Sequence, residues 1–319
     1  MDFWKSITPF PEKKYSVEQI PNLKGKIAIV TGGNTGVGFA TCTELARKGA
    51  KVYLAARSDE RANAAIAKIK QEIPDADIVH LKLDLQDLKQ VKSAADTFKS
   101  KEAKLDILIN NAGIMACPFA LSKDGIETQF ATNHVGHYLL TRELISTLLK
   151  TPNPRVVNLS SLAHLHAPEH GIEFDKINDE NALNTWARYG QSKLANILFT
   201  RGLNKRFGDK GLLANSVHPG WVNTELDRGI QQSAGIFYTI TYPANWLTQK
   251  LIALTPLQGA LTSLYCATSP EIEEKKIRDK YFIPIANEQE SSPLSRDEAL
   301  SEKLWKFTED LVNEKLSKK

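Results

Sequence analysis

Two residue types capable of moving a proton, a phenol and an ammonium, stand four residues apart at Tyr189 and Lys193. On a helix that spacing stacks both side chains on one face. A neighbouring cation favours the phenolate and lowers the pKa of a tyrosine, so the pair fits a general acid and base working near neutral pH. Amphipathic helices supply such pairs by chance, and the pair gains weight only from what precedes it. At Thr31-Gly32-Gly33-Asn34-Thr35-Gly36-Val37-Gly38 the chain carries a glycine-rich turn. The turn follows a short β-branched run at 26–30 and precedes helical spacing at 37–48. Glycines in that place permit a tight turn and let backbone approach a pyrophosphate seated at the helix N-terminus. A purely structural turn explains this placement less well, because the turn joins the first strand to the first helix of a longer series.

Three further positions extend the dinucleotide site. The second strand runs into Arg57, with no acid until Asp59. A carboxylate at this place would bind the ribose hydroxyls of NAD, whereas a guanidinium suits a 2′-phosphate. The expected cofactor is therefore NADP(H), against the plainer reading of a solvated arginine. Asp84 and Leu85 close the third strand, where a carboxylate can accept from the adenine amine. Asn110-Asn111-Ala112-Gly113 closes the fourth, where small residues let backbone pass near the cofactor. All lie at carboxyl ends of strands, the edge at which such sheets bind ligands.

The elements that must position these residues alternate along the chain. Strands are expected at 26–30, 52–55, 78–83, 105–109, 155–159 and 212–217. Helices are expected at 37–48, 59–72, 88–101, 125–150 and 187–207, with a late one at 296–316. Strict alternation implies a doubly wound parallel sheet covered by helices on both faces. We expect a single Rossmann-type α/β domain of about seven strands at 25–319, preceded by an arm at 1–24. The polar stretch 163–188 and the apolar stretch 223–256 interrupt the rhythm. The second contains Ile236, Phe237, Tyr238, Tyr242, Trp246 and Leu247 and reads as a substrate lid, with core or subunit packing as the plainer alternative.

Composition excludes several classes. Of 319 residues, 42% are hydrophobic and 24% charged, which argues for a sizeable core and against disorder. A net charge of +4 is too mild to call for nucleic acid. Cys42, Cys117 and Cys266 are odd in number and widely spaced, and read as reduced core residues of a cytoplasmic protein. No apolar run reaches the length of a membrane span, and 1–24 lacks the apolar core of a secretory signal. That arm, with Phe3, Trp4, Phe10, Lys5, Lys13 and Lys14, is expected to pack on the domain. Peripheral contact with a membrane or lipid droplet is its alternative. His134, His137, His164, His166, His170 and His218 lack metal-ligand spacing, so no metal is expected. The late helix, with Leu300, Leu304, Trp305, Phe307 and Leu311 at helical spacing, fits core packing or a homodimer contact.

Together these residues resemble the short-chain dehydrogenase/reductase family. The resemblance rests on Thr-Gly-x-x-x-Gly-x-Gly at 31–38, Asn-Asn-Ala-Gly at 110–113, Asn133, Ser160-Ser161, Tyr189-x-x-x-Lys193, and Pro219-Gly220 followed by Val222 and Thr224. The stretches Asn158-Leu159-Ser160-Ser161-Leu162-Ala163-His164 and Thr132-Asn133-His134-Val135-Gly136-His137 are similar to its retinol-dehydrogenase-like and WW-domain-oxidoreductase-like branch. The resemblance implies a tetrad of Asn133, Ser161, Tyr189 and Lys193. In it Tyr189 passes a proton to a carbonyl oxygen while NADPH delivers hydride to carbon, or the reverse. Ser161 holds that oxygen, Lys193 lowers the Tyr189 pKa and binds the nicotinamide ribose, and Asn133 holds a relay water. Val222 and Thr224 would contact the nicotinamide end. In simple family members the serine lies much closer to the tyrosine; here the 163–188 insert intervenes, as in that branch. Alternation along the strand does not decide between Ser160 and Ser161, and family alignment favours Ser161. The expected activity is carbonyl–alcohol interconversion on a lipophilic small molecule. The alternative is a catalytically silent NADP(H)-binding regulator or scaffold of the same fold.

Overall fold

The computed structural model describes residues 12–222 and 253–318. Eight strands form one sheet in the order β3-β2-β1-β4-β5-β6-β7-β8. They are β1 Ile27–Thr31, β2 Lys51–Ala56, β3 Ile78–Lys82, β4 Ile107–Asn110, β5 Arg155–Leu159, β6 Leu213–Val217, β7 Tyr281–Ile283 and β8 Asn287–Gln289. The pairings from β3 through β7 are parallel, and β8 returns antiparallel beside β7. The order reverses between β1 and β4, which opens a crevice at their carboxyl ends, where such sheets take ligands. The near-continuous apolar runs of β1 and β4 are buried throughout, as is β5 with its hydrogen-bonded Arg155 and Asn158, as strands covered on both faces must be.

Helices cover both faces. One face holds α1 Gly36–Arg47, α2 Asp59–Glu72 and α6 Pro256–Thr268, which bury Leu45, Ile69 and Leu264 against the sheet. The other holds α3 Leu88–Lys101, α4 Gly136–Leu148, α5 Thr185–Phe207 and α7 Glu298–Ser317, contributing Phe98, Tyr138, Leu198 and Leu304. Local signals set the starts. Asp87 accepts from Gln90 N and Asn184 from Ala187 N, capping α3 and α5. Thr255 and Gln258 form a capping box on α6, with Pro256 in its first turn.

Several expectations are corrected. The sheet has eight strands, and neither β7 nor β8 is readable as a strand in sequence. The helix expected over 125–150 is composite: a turn at Thr128–Phe130, a π turn at Ala131–Val135, then α4. β3 ends at Lys82, so Asp84 and Leu85 lie in the loop beyond it. Cys42 and Cys266 are buried, but Cys117 is half-buried on the loop after β4. α7 is a core element: Trp305 lies edge-on to Tyr138, with ring centroids 5.2 Å apart, and stacks near Phe199 at 5.8 Å. Residues 12–24 lie on the domain, burying Tyr15, Ile20 and Leu23. The Tyr15 hydroxyl is 2.9 Å from Thr268 Oγ1. Among the described residues no helix is long and apolar enough to cross a membrane. The six aromatic and aliphatic side chains expected in the lid, together with Thr224 and residues 1–11, lie outside the described residues.

Candidate active site

The glycine turn is built for close backbone contact. Gly32 and Gly36 have φ of 66° and 55°, a region that favours glycine. A Cβ at Gly38 would come within 2.3 Å of Gly32 O and 2.5 Å of Asn111 Nδ2. The N-cap residue of α1, Thr35, makes no side-chain bond to the first-turn amides. An open helix N-terminus beside a glycine-rich turn fits a pyrophosphate. Asn34 and Thr35 form the turn ahead of that terminus. Val37 and Val222 converge on Gly259, whose Cβ would lie 3.2 Å and 2.5 Å from them.

Thr31 knits this turn to the end of β4. Its Oγ1 accepts from Asn111 N and Ala112 N, both at 2.9 Å, while Asn111 Nδ2 donates to Thr31 O at 2.7 Å. The Thr31 hydroxyl lies 2.8 Å from His137 Nε2, and His137 Nδ1 donates to Asn133 O at 3.0 Å. Burial pushes His137 down to about 4, so the ring is neutral, with its proton on Nδ1 and Nε2 accepting from Thr31.

Asn133 sits in the π turn, wholly buried. Its Oδ1 accepts from Ile114 N at 2.9 Å; its Nδ2 donates to Ile114 O at 3.0 Å and to Ser192 Oγ at 2.9 Å. Ser192 in turn donates to Tyr189 O at 2.8 Å. Asn133 is thereby tied to the helix turn that bears Tyr189 and Lys193. Gly113 completes the junction: a Cβ there would lie 3.2 Å from Asn133 Oδ1 and 3.3 Å from Lys193 Nζ.

On α5, Lys193 Nζ lies 5.5 Å from the centre of the Tyr189 ring. It donates to Leu159 O at 3.2 Å, an oxygen that Asn196 Nδ2 also reaches at 2.9 Å. Among the described residues no carboxylate offsets its burial, which lowers the ammonium pKa to about 8. Tyr189 is itself buried. The two serines after β5 differ in what they touch. Ser160 is buried and donates its hydroxyl to Lys193 O at 2.7 Å. Ser161 is more open, and its Oγ accepts from Ala163 N at 3.1 Å, which leaves its own hydrogen to give.

The structure therefore brings Asn133, Tyr189, Lys193, Gly113 and the Thr31 turn into one contact network, with Ser161 at the end of the neighbouring strand. Arg57 follows β2 and is exposed. Asp84 accepts from Gln86 N at 3.0 Å, and Leu85 is buried against Gly136. Ser192, Thr31 and His137 hold functional groups in place, a role that the sequence reading did not assign to them. Ser192 was within reach, since a serine three residues after Tyr189 must share its helix face. Among the described residues no group of three or more His, Cys, Asp or Glu is placed to hold a metal.

Comparison with known proteins agrees with this architecture. The sequence model of the short chain dehydrogenase family matches residues 26–174. An uncharacterized oxidoreductase of Schizosaccharomyces pombe is 41% identical, with 97% of this chain and 91% of that protein aligned. Retinol dehydrogenase 12 of Mus musculus is 39% identical over 92% of this chain and 87% of its own. The crystal structure of an uncharacterized protein from Mycobacterium paratuberculosis superposes with a TM-score of 0.73 at 32% identity, covering 94% of this chain and 97% of the other. The chain belongs to the short-chain dehydrogenase/reductase family of oxidoreductases.

Proposed function

We propose that the chain interconverts a carbonyl and an alcohol on a lipophilic small molecule, with NADP(H) as cofactor and Tyr189 as the proton-transferring residue. The observation that carries this reading is the buried Lys193 ammonium beside the Tyr189 ring, held by helix α5 and with no carboxylate partner among the described residues. When bound, the nicotinamide supplies or takes the hydride. Tyr189 gives its proton to the carbonyl oxygen, and Lys193 stabilises the phenolate left behind. The Ser161 hydroxyl, its oxygen already fixed by Ala163 N, donates to the same oxygen where charge develops. Asn133 holds the Ile114 loop and Ser192 in register, and orders a water that returns the proton towards Lys193.

Preference for NADP(H) is supported by the charges after β2. Asp59, the first acid there, gives its carboxylate to Lys82 Nζ at 2.6 Å and lies 3.5 Å from His80 Nδ1. Its repulsion of a 2′-phosphate is thus neutralised within the protein, while Arg57 stays exposed to bind one. A lipophilic substrate is supported by the rim of the crevice. Among the described residues the exposed large apolar side chains are Leu121, Leu165, Trp186, Trp221 and Leu257. All lie in loops after β4, β5 and β6 or in the first turns of α5 and α6, at the carboxyl edge of the sheet. The name of the mouse relative, a retinol dehydrogenase, points the same way.

A series of aliphatic aldehydes of increasing length, with NADPH and NADH in parallel, tests the reading. Rising kcat/KM with chain length and a preference for NADPH are expected. Binding of NADPH without its consumption on any aldehyde or ketone would favour a silent cofactor-binding protein instead. Consumption without any gain from apolar length would remove the lipophilic pocket.

A further inference from the structure

His164 lies three residues beyond Ser161 and is buried to 1% exposure, with both ring nitrogens engaged. Nδ1 reaches Ser161 O at 2.7 Å, and Nε2 receives Ser292 N at 3.2 Å. A carbonyl can only accept and an amide N–H can only donate, so these partners fix a neutral ring with its proton on Nδ1. Ser161 O also accepts from His164 N at 3.1 Å, which fills both of its lone pairs. The imidazole packs edge-on against Tyr281 of β7, with centroids 5.2 Å apart. Ser292, beyond β8, is fixed in turn: its carbonyl accepts from Ser295 Oγ at 2.6 Å.

We infer that His164 is a positioning residue for Ser161, clamping the backbone of that residue to the C-terminal part of the chain through Ser292. The neighbouring backbone is held by other contacts, with Ser160 N donating to Val217 O at 2.8 Å and the turn Leu162–His166 lying against Gly190 of α5, but both bonds to Ser161 O come from His164. The polar insert that follows lengthens this connection, and a fixed point close to Ser161 is what a long loop requires if the hydroxyl is to stay aligned. This inference rests on Ser161 being the hydroxyl that holds the substrate oxygen.

Side-chain geometry supplies the test. In asparagine the amide nitrogen overlays Nδ1, so His164→Asn keeps the donor to Ser161 O and loses the contact with Ser292. In glutamine the terminal amide overlays Nε2, so His164→Gln keeps an acceptor for Ser292 N and loses Ser161 O. Displacement of a catalytic group by an ångström costs on the order of 100-fold. His164→Gln should therefore lower kcat for a medium-chain aldehyde by about 10- to 100-fold, with the Kd for NADPH unchanged, and His164→Asn should stay within about threefold. In a Ser161→Ala background, His164→Gln should cost less than about twofold, because the group it positions is gone. Equal losses from His164→Gln in both backgrounds, or equal losses from the two His164 variants in step with their unfolding midpoints, would overturn the positioning role. Undiminished kcat in the Ser161→Ala chain alone would overturn the role of Ser161, and the inference with it.

Discussion

Lys193 should cost the protein stability, and the cost can be measured. Its ordinary pKa of 10.5 falls to about 8 through burial. At about 1.4 kcal/mol per pH unit, the charged form is disfavoured in the fold by about 3 kcal/mol. Lys193→Met keeps the aliphatic stem and removes the charge. It gives up the bond to Leu159 O, worth about 1 kcal/mol, and a cation–π contact of about 0.5–1 kcal/mol. The carbonyl is not orphaned, because Asn196 Nδ2 still donates to it. The variant should therefore be about 1–2 kcal/mol more stable than wild type at pH 7, while losing turnover. The sign follows from linkage. Between pH 8 and 10.5 the unfolded chain holds the lysine proton and the folded chain does not. Unfolding takes up a proton there, and wild-type stability gains on the variant as pH rises. Below pH 8 both states are protonated and the full penalty applies. Equilibrium urea unfolding of the two proteins without cofactor, at steps from pH 7 to 10.5, cancels the titration of all other groups. A variant less stable at pH 7, or a difference that stays flat across the series, would refute the reasoning.

Other substitutions separate the roles of neighbouring groups. Tyr189→Phe keeps the ring packing and should abolish turnover while NADPH titration gives nearly the wild-type Kd. Arg57→Ala should weaken NADPH binding by about 1–3 kcal/mol and NADH binding much less; equal losses for both cofactors would contradict the 2′-phosphate assignment. Ser160→Ala removes a buried bond to Lys193 O and should lower stability by about 1–2 kcal/mol with kcat largely kept. Ser161→Ala should cut kcat by about 10²–10³-fold, with a loss of stability no larger than the one lost cap bond from Ala163 N, about 1 kcal/mol.

Much of the frame was legible because its signals are local. Helices α2 and α3 begin at Ser58 and Asp87, side chains that cap their first turns, and both coincide with their sequence periodicity. Strand β5 was equally plain from Val156, Val157 and Leu159. β7 and β8 were not, since each has three residues, too few for a period to appear. The π turn around Asn133 was hidden for a different reason: residue propensities do not distinguish a widened turn from an α-helical one. Ser160 and Ser161 point to opposite sides by alternation, and which of them faces α5 is settled by where Lys193 O lies. The histidines at 137 and 164 lack metal-ligand spacing in the sequence; what it withheld is the orientation of their rings, whose Nδ1 donors go to Asn133 O and Ser161 O while tertiary contacts with Thr31 and Ser292 hold the other nitrogens.

The last helix has a consequence for biosynthesis. α7 covers the faces of α4 and α5 with Leu304 and Trp305, and Thr308 Oγ1 lies 2.9 Å from His134 Nε2, next to Asn133. It is made after Asn133, Ser161, Tyr189 and Lys193, so a nascent chain holding all four still exposes Tyr138 and Phe199, which Trp305 covers in the fold, to water. A stop codon ahead of Leu304 should yield a product that aggregates or is degraded, although Asn133, Ser161, Tyr189 and Lys193 are all present.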